Sequence, residues 1–318
     1  MIPLIIIAGQ TATGKSERAL HLAKRLKSEI VSADSMQVYR YFDIGTAKPL
    51  LKTKQAIPHH LIDIRNPDDE YSAGQFKKDA EKIISKLHTQ GKIPIIAGGT
   101  GLYINALTKG LSLAVPSDPE LREKLRKRTQ KEGNLSMHNE LLKVDPVAAE
   151  KINPADTFRI ERVLEVYYLT GKPISAFQSS EQHGTNQYAT LYLVLNLDRP
   201  LLYQRVNERV DRMLKKGLVE EVRSIIGRGY ADQLKPFQSI GYKEIVQYLK
   251  KESTLEQAVE SIKKETRNYA KRQLTWFKKI RSALWIKVDF KKPELTDEKI
   301  YAAVKKRFKS SRIHRMLI

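Results

Sequence analysis

Residues 9–16 read Gly9-Gln10-Thr11-Ala12-Thr13-Gly14-Lys15-Ser16, which is a complete phosphate-binding loop of the form G-x-x-x-x-G-K-[ST]. The apolar run from Leu4 to Ala8 before it is typical of a buried parallel strand, and apolar residues recur at helical spacing after it. Glycines let the backbone turn its N–H groups toward phosphate oxygens, and the positive end of the following helix points at the same anion. The loop predicts a polyphosphate site, but it specifies neither a nucleoside triphosphate nor phosphoryl transfer.

The composition describes a long chain without cysteine. Its 318 residues can form one large or two ordinary domains, and 41% hydrophobic with 29% charged residues is typical of a soluble globular protein. With no cysteine the chain forms neither a disulfide nor a thiolate metal site, which favours a reducing compartment. The sequence has no signal peptide and no apolar stretch of membrane-spanning length, so we expect a cytoplasmic protein with no membrane partner.

The net charge of +21 is the second strong feature. A small anionic substrate does not require such an excess, whereas a polyanion is attracted by it, and nucleic acid is the commonest polyanion. Together with the phosphate loop, the charge favours an enzyme acting on nucleic acid or an NTPase that nucleic acid stimulates.

Strand and helix patterns alternate along the first third of the chain. Further strands are predicted at 29–32, 60–64 and 93–97, and an amphipathic helix at 76–87. Later strands are predicted at 191–195 and 284–288. This alternation predicts an α/β fold with a P-loop NTPase-like parallel sheet core flanked by helices, in which ligands gather at the carboxyl ends of the strands.

The pattern changes near Pro116. From there to about Gln187 the chain is highly charged, is interrupted by prolines and shows helical but no strand patterns. We therefore predict an inserted all-helical domain at 116–185, within a catalytic core formed by 1–115 and 186–318 whose carboxyl-terminal part is mainly helical. The basic tail from Tyr301 is expected to be partly disordered.

Asp34 and a glycine-rich segment end two of the predicted strands. Asp34 lies at the sheet edge that carries the phosphate loop, where it is open to three interpretations: a Walker-B ligand of Mg²⁺, a general base, or a turn or capping residue. Gly98-Gly99-Thr100-Gly101 permits a close approach of backbone or ligand, with Thr100 as its single hydroxyl, although a tight turn alone explains the glycines equally well.

Basic residues mark two helical segments. Arg205 and Arg209 share one helix face, which is either solvated or in contact with a diphosphate. In the segment 267–279, Leu274 and Phe277 suit a buried stripe, whereas Lys271 and Arg272 are free to face the phosphates of a nucleic acid.

The adjacent histidines His59 and His60 are a weak candidate for a metal site. Neighbouring residues of a strand point to opposite faces, and no cysteine or third clustered histidine would complete the site.

Taken in order, these motifs resemble those of the bacterial tRNA dimethylallyltransferases, also called tRNA isopentenyltransferases. The shared set spans nearly the whole chain and consists of 9–16, 34–39, 43–48, 58–63, 98–103, 240–244 and 269–277. The resemblance implies transfer of a dimethylallyl group from dimethylallyl diphosphate to N6 of adenosine 37, in the anticodon stem-loop of tRNA, with release of diphosphate. It also implies that the phosphate loop holds the allylic diphosphate rather than a nucleotide.

The resemblance further assigns roles by position. Asp34 corresponds to the base that takes the N6 proton, and Thr100 to a residue near the reacting centre. Lys15, Ser16 with Mg²⁺, and Arg209 would stabilise the departing diphosphate. Matched tRNA contacts are Asp34, Ser35, Met36, Gln37, Thr100, Arg122, Phe158, Arg159, Ile160, Glu161 and Arg162. The target adenine would leave its stack and enter a channel through the enzyme.

Two positions depart from the family pattern. Gln10 stands where the family usually has proline, so we expect diphosphate binding to persist in a looser loop. Phe158 stands where a glutamine often precedes the arginine of the insertion motif, so stacking would replace a polar tRNA contact there.

Two other functions remain open from the sequence. One is a P-loop small-molecule kinase, which would bind ATP at the loop. The other is a non-catalytic RNA-binding ATPase. We expect the protein to act as a monomer.

Overall fold

The structure is a computed structural model that describes residues 1–110, 117–179 and 187–309. The chain divides into two compact units. The core unit comprises Met1–Thr108 and Asn186–Ile318, and the inserted unit comprises Lys109–Thr185. Each unit has its own cluster of buried apolar side chains.

A parallel sheet forms the centre of the core unit. Its described strands are β1 (Ile2–Gly9), β2 (Ile30–Ala33), β3 (His59–His60), β4 (Ile95–Gly98), β5 (Tyr188–Asn196) and β6 (Leu284–Lys287). The described sheet has the order β3-β2-β4-β1-β5-β6 and every neighbouring pair is parallel, which confirms the predicted fold class. The carboxyl ends of all these strands therefore share one edge of the sheet.

Helices cover the sheet and form the inserted unit. The core unit begins with α1 (Lys15–Arg25), α2 (Leu51–Ala56), α3 (Ala73–Thr89) and α4 (Gly101–Lys109). The inserted unit contains α5 (Pro119–Glu132), α6 (Asn134–Val144), α7 (Pro146–Ala149), α8 (Thr157–Thr170) and α9 (Ile174–Ser179). The core unit continues with α10 (Arg199–Lys215), α11 (Leu218–Gly227), a 3₁₀ turn at Lys235–Gln238, α12 (Tyr242–Leu249), α13 (Leu255–Lys278) and α14 (Pro293–Phe308).

Strand β1 is buried on both faces. Leu4 and Ile6 pack in the cluster that contains side chains of α3 and α10 to α13, whereas Ile5 and Ile7 pack in the cluster that contains α1 and α14. This two-sided burial explains why the strand is a continuous apolar run rather than an alternating one. The run places the phosphate loop at the centre of the sheet edge.

Capping boxes set the starts of two long helices. Ser72 and Gln75 exchange side chain to backbone hydrogen bonds at the start of α3, and Thr254 and Gln257 do the same for α13. The second box fixes the start of the helix that later contacts both loops of the site.

The third predicted strand is wrong in extent. Only His59 and His60 pair with β2, because Leu61 and Asp63 adopt left-handed backbone conformations with φ of 62° and 58°. The Asp63 carboxylate accepts hydrogen bonds from the ammonium groups of Lys48 (2.6 Å) and Lys54 (2.8 Å). These ion pairs hold the chain in a loop where the apolar pattern predicted a strand.

The carboxyl-terminal tail begins as a helix. Tyr301 to Phe308 belong to α14, so this part of the tail is helical, and residues 310–318, where the expected partial disorder would lie, are outside the described residues. Among the described helices, none combines the length and the apolarity needed to cross a membrane.

The described part of the inserted unit, residues 109–110 and 117–179, contains helices and turns but no strand. Its core is built from buried apolar side chains of α5, α6 and α8, including Leu125, Leu141 and Leu164. The helical character that the sequence predicts for this segment is thus present wherever the segment is described.

Candidate active site

The phosphate loop follows β1 with the backbone geometry that its glycines predict. Gly14 caps α1 in the left-handed region at φ 82°, and a Cβ on Gly9 would lie 2.3 Å from the carbonyl oxygen of Leu195 on the neighbouring strand. The Thr13 hydroxyl and the Lys15 ammonium both donate to the carbonyl of Gln10, at 2.7 and 2.6 Å. The loop is therefore closed on itself at the amino end of α1, where an anion is favoured.

Helix α13 connects the phosphate loop to the glycine-rich loop after β4. The buried side chain of Gln273 accepts a hydrogen bond from the Thr11 N–H (2.8 Å) and donates one to the Gly99 carbonyl (3.0 Å). A Cβ on Gly99 would lie only 2.3 Å from the Gln273 amide nitrogen. One side chain therefore fixes the spacing of two loops that end neighbouring strands.

Gln10 also binds to α13, a contact that the expectation of a looser loop did not include. Its side chain is 5% exposed, and its amide nitrogen donates to the carbonyl of Ala270 at 3.0 Å. The residue that departs from the family pattern thus adds a hydrogen bond that proline cannot make.

Asp34 and Thr100 meet where β2 and β4 end. Oδ1 of Asp34 accepts the N–H groups of Met36 (2.9 Å) and Gln37 (3.3 Å), and Oδ2 has no donor among the described residues. The Thr100 hydroxyl accepts the N–H of Ser35 at 3.1 Å. A Cβ on Gly98 would lie 2.1 Å from the Ala33 carbonyl oxygen, so glycine is required for this close approach.

These segments line one pocket of about 340 Å³. The predicted site residues in its wall are Thr11, Lys15, Ser16, Asp34, Ser35, Met36, Gln37 and Arg209. Thr100 stands next to this wall through its bond to Ser35. The predicted phosphate loop, base and arginine are therefore brought together from distant parts of the sequence.

A second pocket, of about 620 Å³, adjoins the first. The two share Lys15, Ser16 and Arg209, and the second adds the basic side chains of Lys48, Lys54, Arg205, Arg212 and Lys216. The shared cations thus lie between a strongly basic cavity and the cavity that contains Asp34.

Burial lowers the pKa of both shared cations. Removal from water, reinforced by Arg209 and opposed by Asp34, lowers the pKa of Lys15 to about 7. Burial also lowers the pKa of Arg209, with Asp34 acting in the opposite direction. No carboxylate of the described residues forms a salt bridge with either cation, so an anion bound here would supply the missing negative charge.

Tyr269 of α13 is another polar group of this wall that has a shifted pKa. Burial and the Asp34 carboxylate raise its pKa to about 12, while contacts with Gln273 and Thr100 act in the opposite direction. The phenol therefore keeps its proton at neutral pH and can serve as a hydrogen-bond donor beside Asp34.

Arg205 supports the phosphate loop from α10. Its guanidinium donates to the Ala12 carbonyl at 3.1 Å and lies 3.4 Å from the ring centroid of Phe290. Arg212 is 59% exposed and lies 3.9 Å from Glu208. Arg209 lines both pockets, whereas Arg212 is solvated, and contact of Arg209 with a diphosphate stays a prediction.

Comparison with known proteins places the chain in a family. The sequence model described as IPP transferase matches residues 37–280, more than half of the chain. This chain belongs to the IPP transferase family. The family expected from the motifs is confirmed.

Relatives and solved structures of the same family are similar over most of their length. A tRNA dimethylallyltransferase of Acetivibrio thermocellus is 47% identical, covering 90% of this chain and 92% of the relative, and one of Geobacter metallireducens is 48% identical, covering 89% and 92%. A full-length tRNA isopentenylpyrophosphate transferase of Bacillus halodurans matches with a TM-score of 0.71 at 38% identity, covering 97% and 99%. A eukaryotic dimethylallyltransferase acting on tRNA matches with a TM-score of 0.82 at 31% identity, covering 98% and 80%.

The remaining predicted contact residues of this IPP transferase family member lie outside the pocket wall. Lys271 and Arg272 are exposed on α13, and Phe277 of the same helix is buried as predicted, while Leu274 is only partly buried. Both side chains are exposed and so are accessible to a polyanion.

The inserted unit holds the predicted contacts around α8. Phe158 is 77% exposed and Arg159 is exposed, but Ile160 is 1% exposed and packs in the core of the unit, so a tRNA contact by its side chain is not supported. Arg122 and Arg162 both bind the buried carboxylate of Glu165, at 2.9 and 2.6 Å. One oxygen of Glu161 is buried without a hydrogen-bond partner.

His59 and His60 are engaged in the structure by other groups. Nδ1 of His59 lies 2.7 Å from the Ile57 carbonyl, and Nε2 of His60 lies 2.7 Å from the Glu29 carboxylate. Within the described ranges, no three His, Asp or Glu side chains cluster as metal ligands.

Sequence reasoning missed the residues that hold the site together. Gln273 and Tyr269 lie inside a recognised motif and are four residues apart, which places both polar side chains on one face of a helix. This spacing was the signal that could have identified them as site residues. Glu221, which binds the loop after Phe42, belongs to no motif and gave no sign in the sequence.

Proposed function

We propose that this protein is a tRNA dimethylallyltransferase, which transfers the dimethylallyl group of dimethylallyl diphosphate to N6 of adenosine 37 in tRNA and releases diphosphate. One observation carries the proposal. Lys15 and Arg209, two cations without a carboxylate partner among the described residues, share a pocket with Asp34, a carboxylate with one unbonded oxygen. The transfer requires cations that stabilise an anionic leaving group and a group that accepts a proton, and this pocket offers both.

The donor diphosphate would lie against the phosphate loop. Backbone N–H groups at the amino end of α1, the Lys15 ammonium and the Arg209 guanidinium stabilise the negative charge that grows on the diphosphate as its bond to carbon breaks. The basic second pocket, which shares these cations, supports the same position because it draws a polyanionic donor toward them.

Asp34 would act on the acceptor. The N6 amine is a poor nucleophile because its lone pair is delocalised into the adenine ring, so removal of its proton helps as the bond forms. The N6–carbon bond forms while the carbon–oxygen bond breaks, the bonding electrons go to the diphosphate oxygen, and the proton goes to Asp34. The N–H groups of Met36 and Gln37 hold Oδ1, which leaves Oδ2 for the proton.

Thr100 and Tyr269 would orient the adenine. Thr100 is fixed by its bond to the Ser35 N–H, and Tyr269 remains a phenol because burial and Asp34 raise its pKa to about 12. Both side chains carry a hydroxyl near Asp34. Both hydroxyls can donate hydrogen bonds to the ring nitrogens of an adenine that has left its stack.

Mg²⁺ fits the donor set of the site. The Ser16 hydroxyl lines both pockets next to Lys15, and hydroxyl and phosphate oxygens are ligands that Mg²⁺ prefers. Because the described residues offer no cluster of three acidic or histidine ligands, the ion would be held by Ser16, the diphosphate and water. When bound, it would neutralise charge on the diphosphate.

The substrate RNA would be engaged at the anticodon stem-loop, and the protein would act as a cytoplasmic monomer. The net charge of +21 and the exposed Lys271 and Arg272 of α13 support binding of a polyanion. In the inserted unit, exposed Phe158 and Arg159 support stacking and phosphate contacts with RNA.

Nucleoside mass spectrometry tests the proposal directly. Unmodified tRNA is incubated with the protein, dimethylallyl diphosphate and Mg²⁺, then digested, and the expected product is adenosine that carries one five-carbon unit. A tRNA with guanosine at position 37 serves as the control and should remain unmodified. Tight ATP binding without binding of the allylic diphosphate, measured by calorimetry, would instead favour the kinase.

A further inference from the structure

The loop Asp43–Lys48, which we call the 43–48 loop, contributes to both pockets. Gly45, Thr46 and Ala47 line the pocket of Asp34, and Asp43, Ile44, Ala47 and Lys48 line the basic pocket. The loop is short and irregular, and Ala47 adopts a left-handed backbone conformation with φ 51°. Its position between the cavities must therefore be imposed by contacts with other elements.

Glu221 of α11 provides such contacts. Its carboxylate accepts three consecutive backbone N–H groups, from Asp43 (3.1 Å), Ile44 (2.7 Å) and Gly45 (3.3 Å). It also accepts the hydroxyl of Tyr242, at 2.6 Å, and that hydroxyl lies 3.1 Å from the Gly45 nitrogen. Among the described residues Glu221 has no cationic partner, and its carboxylate binds only the loop amides and the Tyr242 hydroxyl.

We propose that Glu221 is a positioning residue that acts through the 43–48 loop on the acceptor half of the site, by which we mean Asp34, Thr100 and this loop. The inference rests on the proposed function for its kinetic consequences. The N–H groups of residues 43–45 form an anion-binding cradle, and the bound anion is the carboxylate of Glu221 itself. An unfilled cradle beside the diphosphate site would compete for phosphate.

Gln37 connects the 43–48 loop to Asp34 by hydrogen bonds. The carbonyl of Thr46 accepts the Gln37 side-chain amide at 3.2 Å, and the other end of that amide accepts the Ser32 hydroxyl at 2.9 Å. The backbone N–H of Gln37 in turn binds Oδ1 of Asp34. A loop fixed by Glu221 thus fixes the polar wall beside the base, whereas the phosphate loop is held separately by α13.

The Tyr242 ring leaves no room for a side chain at position 45, so glycine is required there. A Cβ on Gly45 would lie 2.4 Å from the Tyr242 ring, which is fully buried. Burial and the Glu221 carboxylate raise the pKa of Tyr242 well above its ordinary value, so the hydroxyl remains a donor to Glu221. The aromatic wall and the carboxylate therefore act on the same loop from two helices.

Glu221→Ala with acetate rescue tests the inference. The substitution removes a fragment of the size and charge of acetate, so added acetate can refill the cradle. We expect turnover at saturating donor to fall about tenfold, the Kd of dimethylallyl diphosphate to change less than twofold, and acetate, but not chloride at equal ionic strength, to restore at least half of the lost rate. The control variant Glu220→Gln, at the exposed neighbouring residue, should keep the turnover and the donor Kd of the unaltered protein, and acetate should have no effect on it.

Hydrogen exchange gives a readout that needs no activity. The Ile44 and Gly45 amides should exchange at least tenfold faster in Glu221→Ala than in the unaltered protein, and acetate should slow them again. Tyr242→Phe should show a smaller change in the same direction, since the ring remains.

Three results would overturn the inference: unchanged turnover and exchange in Glu221→Ala, equal losses of donor affinity and turnover, or no rescue by acetate. If the unaltered protein modified no tRNA, the proposed function would fail, while the exchange rates would still decide whether Glu221 holds the loop.

Discussion

The donor half and the acceptor half of the site differ in charge and in how they are held. The donor half, residues 9–16 with Arg209, presents N–H groups and two cations that lack carboxylate partners among the described residues. The acceptor half presents Asp34, the hydroxyl of Thr100 and the 43–48 loop. Opposite charges in the wall of one pocket give the leaving group and the proton separate destinations, which transfer of a carbon unit requires.

The supports of the two halves also differ. The donor half is a local motif braced by Gln10 and Gln273 on α13. The acceptor half depends on Glu221 of α11 and on the Gln273 bond to Gly99. Gln273 is thus the side chain that joins the two halves, and variants can be chosen to affect one half, the other, or both.

Asp34→Asn should have the largest effect, confined to the acceptor half. The amide cannot take the N6 proton, so we expect the single-turnover rate to fall about 10²- to 10⁴-fold. The Kd values of donor and tRNA, measured by calorimetry, should stay within about twofold because the shape of the side chain is kept. A rate close to that of the unaltered protein would remove Asp34 as the base.

Lys15→Ala should act on the donor half. Loss of a buried charged hydrogen bond to the diphosphate should weaken donor binding about 10- to 100-fold and leave tRNA binding nearly intact. Lys24→Ala, at an exposed position of the same helix, is the matched control. Equal weakening in both variants would mean that general charge, and not the loop lysine, binds the donor.

The pH dependence of donor binding sharpens the same assignment. Burial lowers the pKa of Lys15 to about 7, so the free protein loses this positive charge as the pH rises through 7. Donor affinity should be highest well below pH 7 and fall by up to about tenfold per pH unit above it. Calorimetry between pH 6.5 and 9 checks this, and Lys15→Ala should show a flat profile. A profile that stays flat in the unaltered protein would contradict the lowered pKa.

Gln273→Met should disturb both halves together. Methionine fills the space but leaves the Thr11 N–H and the Gly99 carbonyl without their partner, so we expect donor affinity and turnover each to fall about tenfold. Thr275→Val, on the exposed side of the same helix, should change neither. A loss in one parameter alone would show that the loops are positioned independently.

Replacing Lys271 and Arg272 with glutamine should have the smallest effect. The two side chains are exposed, so tRNA affinity should fall a few-fold and the salt slope of binding should decrease by about two units, one for each lost phosphate contact. Donor affinity should not change. An unaltered slope, measured by filter binding between low and moderate salt, would place both residues away from the RNA.

Local sequence patterns predicted the donor half better than its supports. The phosphate loop, β1 and α1 follow from adjacent residues, and Asp34 and Gly98 could be placed because each ends a strand of the same sheet. The bonds of Glu221 to the 43–48 loop join residues 176 to 178 positions apart, and Gln273 bonds to Thr11 across 262 positions. Such contacts depend on the packing of helices and leave no local pattern.

The errors have physical causes of the same kind. The strand predicted at 60–64 failed because Lys48 and Lys54 hold Asp63 in a left-handed turn. The contact of Gln10 with the Ala270 carbonyl was not predicted, because the two residues lie 260 positions apart. Ile160 fell inside a matched segment although its helix turns that side chain into the core.

The identity of the transferred group is tested most directly by offering two labelled donors at once. The protein, unmodified tRNA and Mg²⁺ are incubated with ATP labelled at the γ-phosphate and dimethylallyl diphosphate labelled in its carbon chain, and the label in the purified RNA is measured. We expect the carbon label on a single adenosine beside the anticodon and no phosphorus label in the RNA. Phosphorus label in the RNA without carbon label would contradict a site built to move carbon.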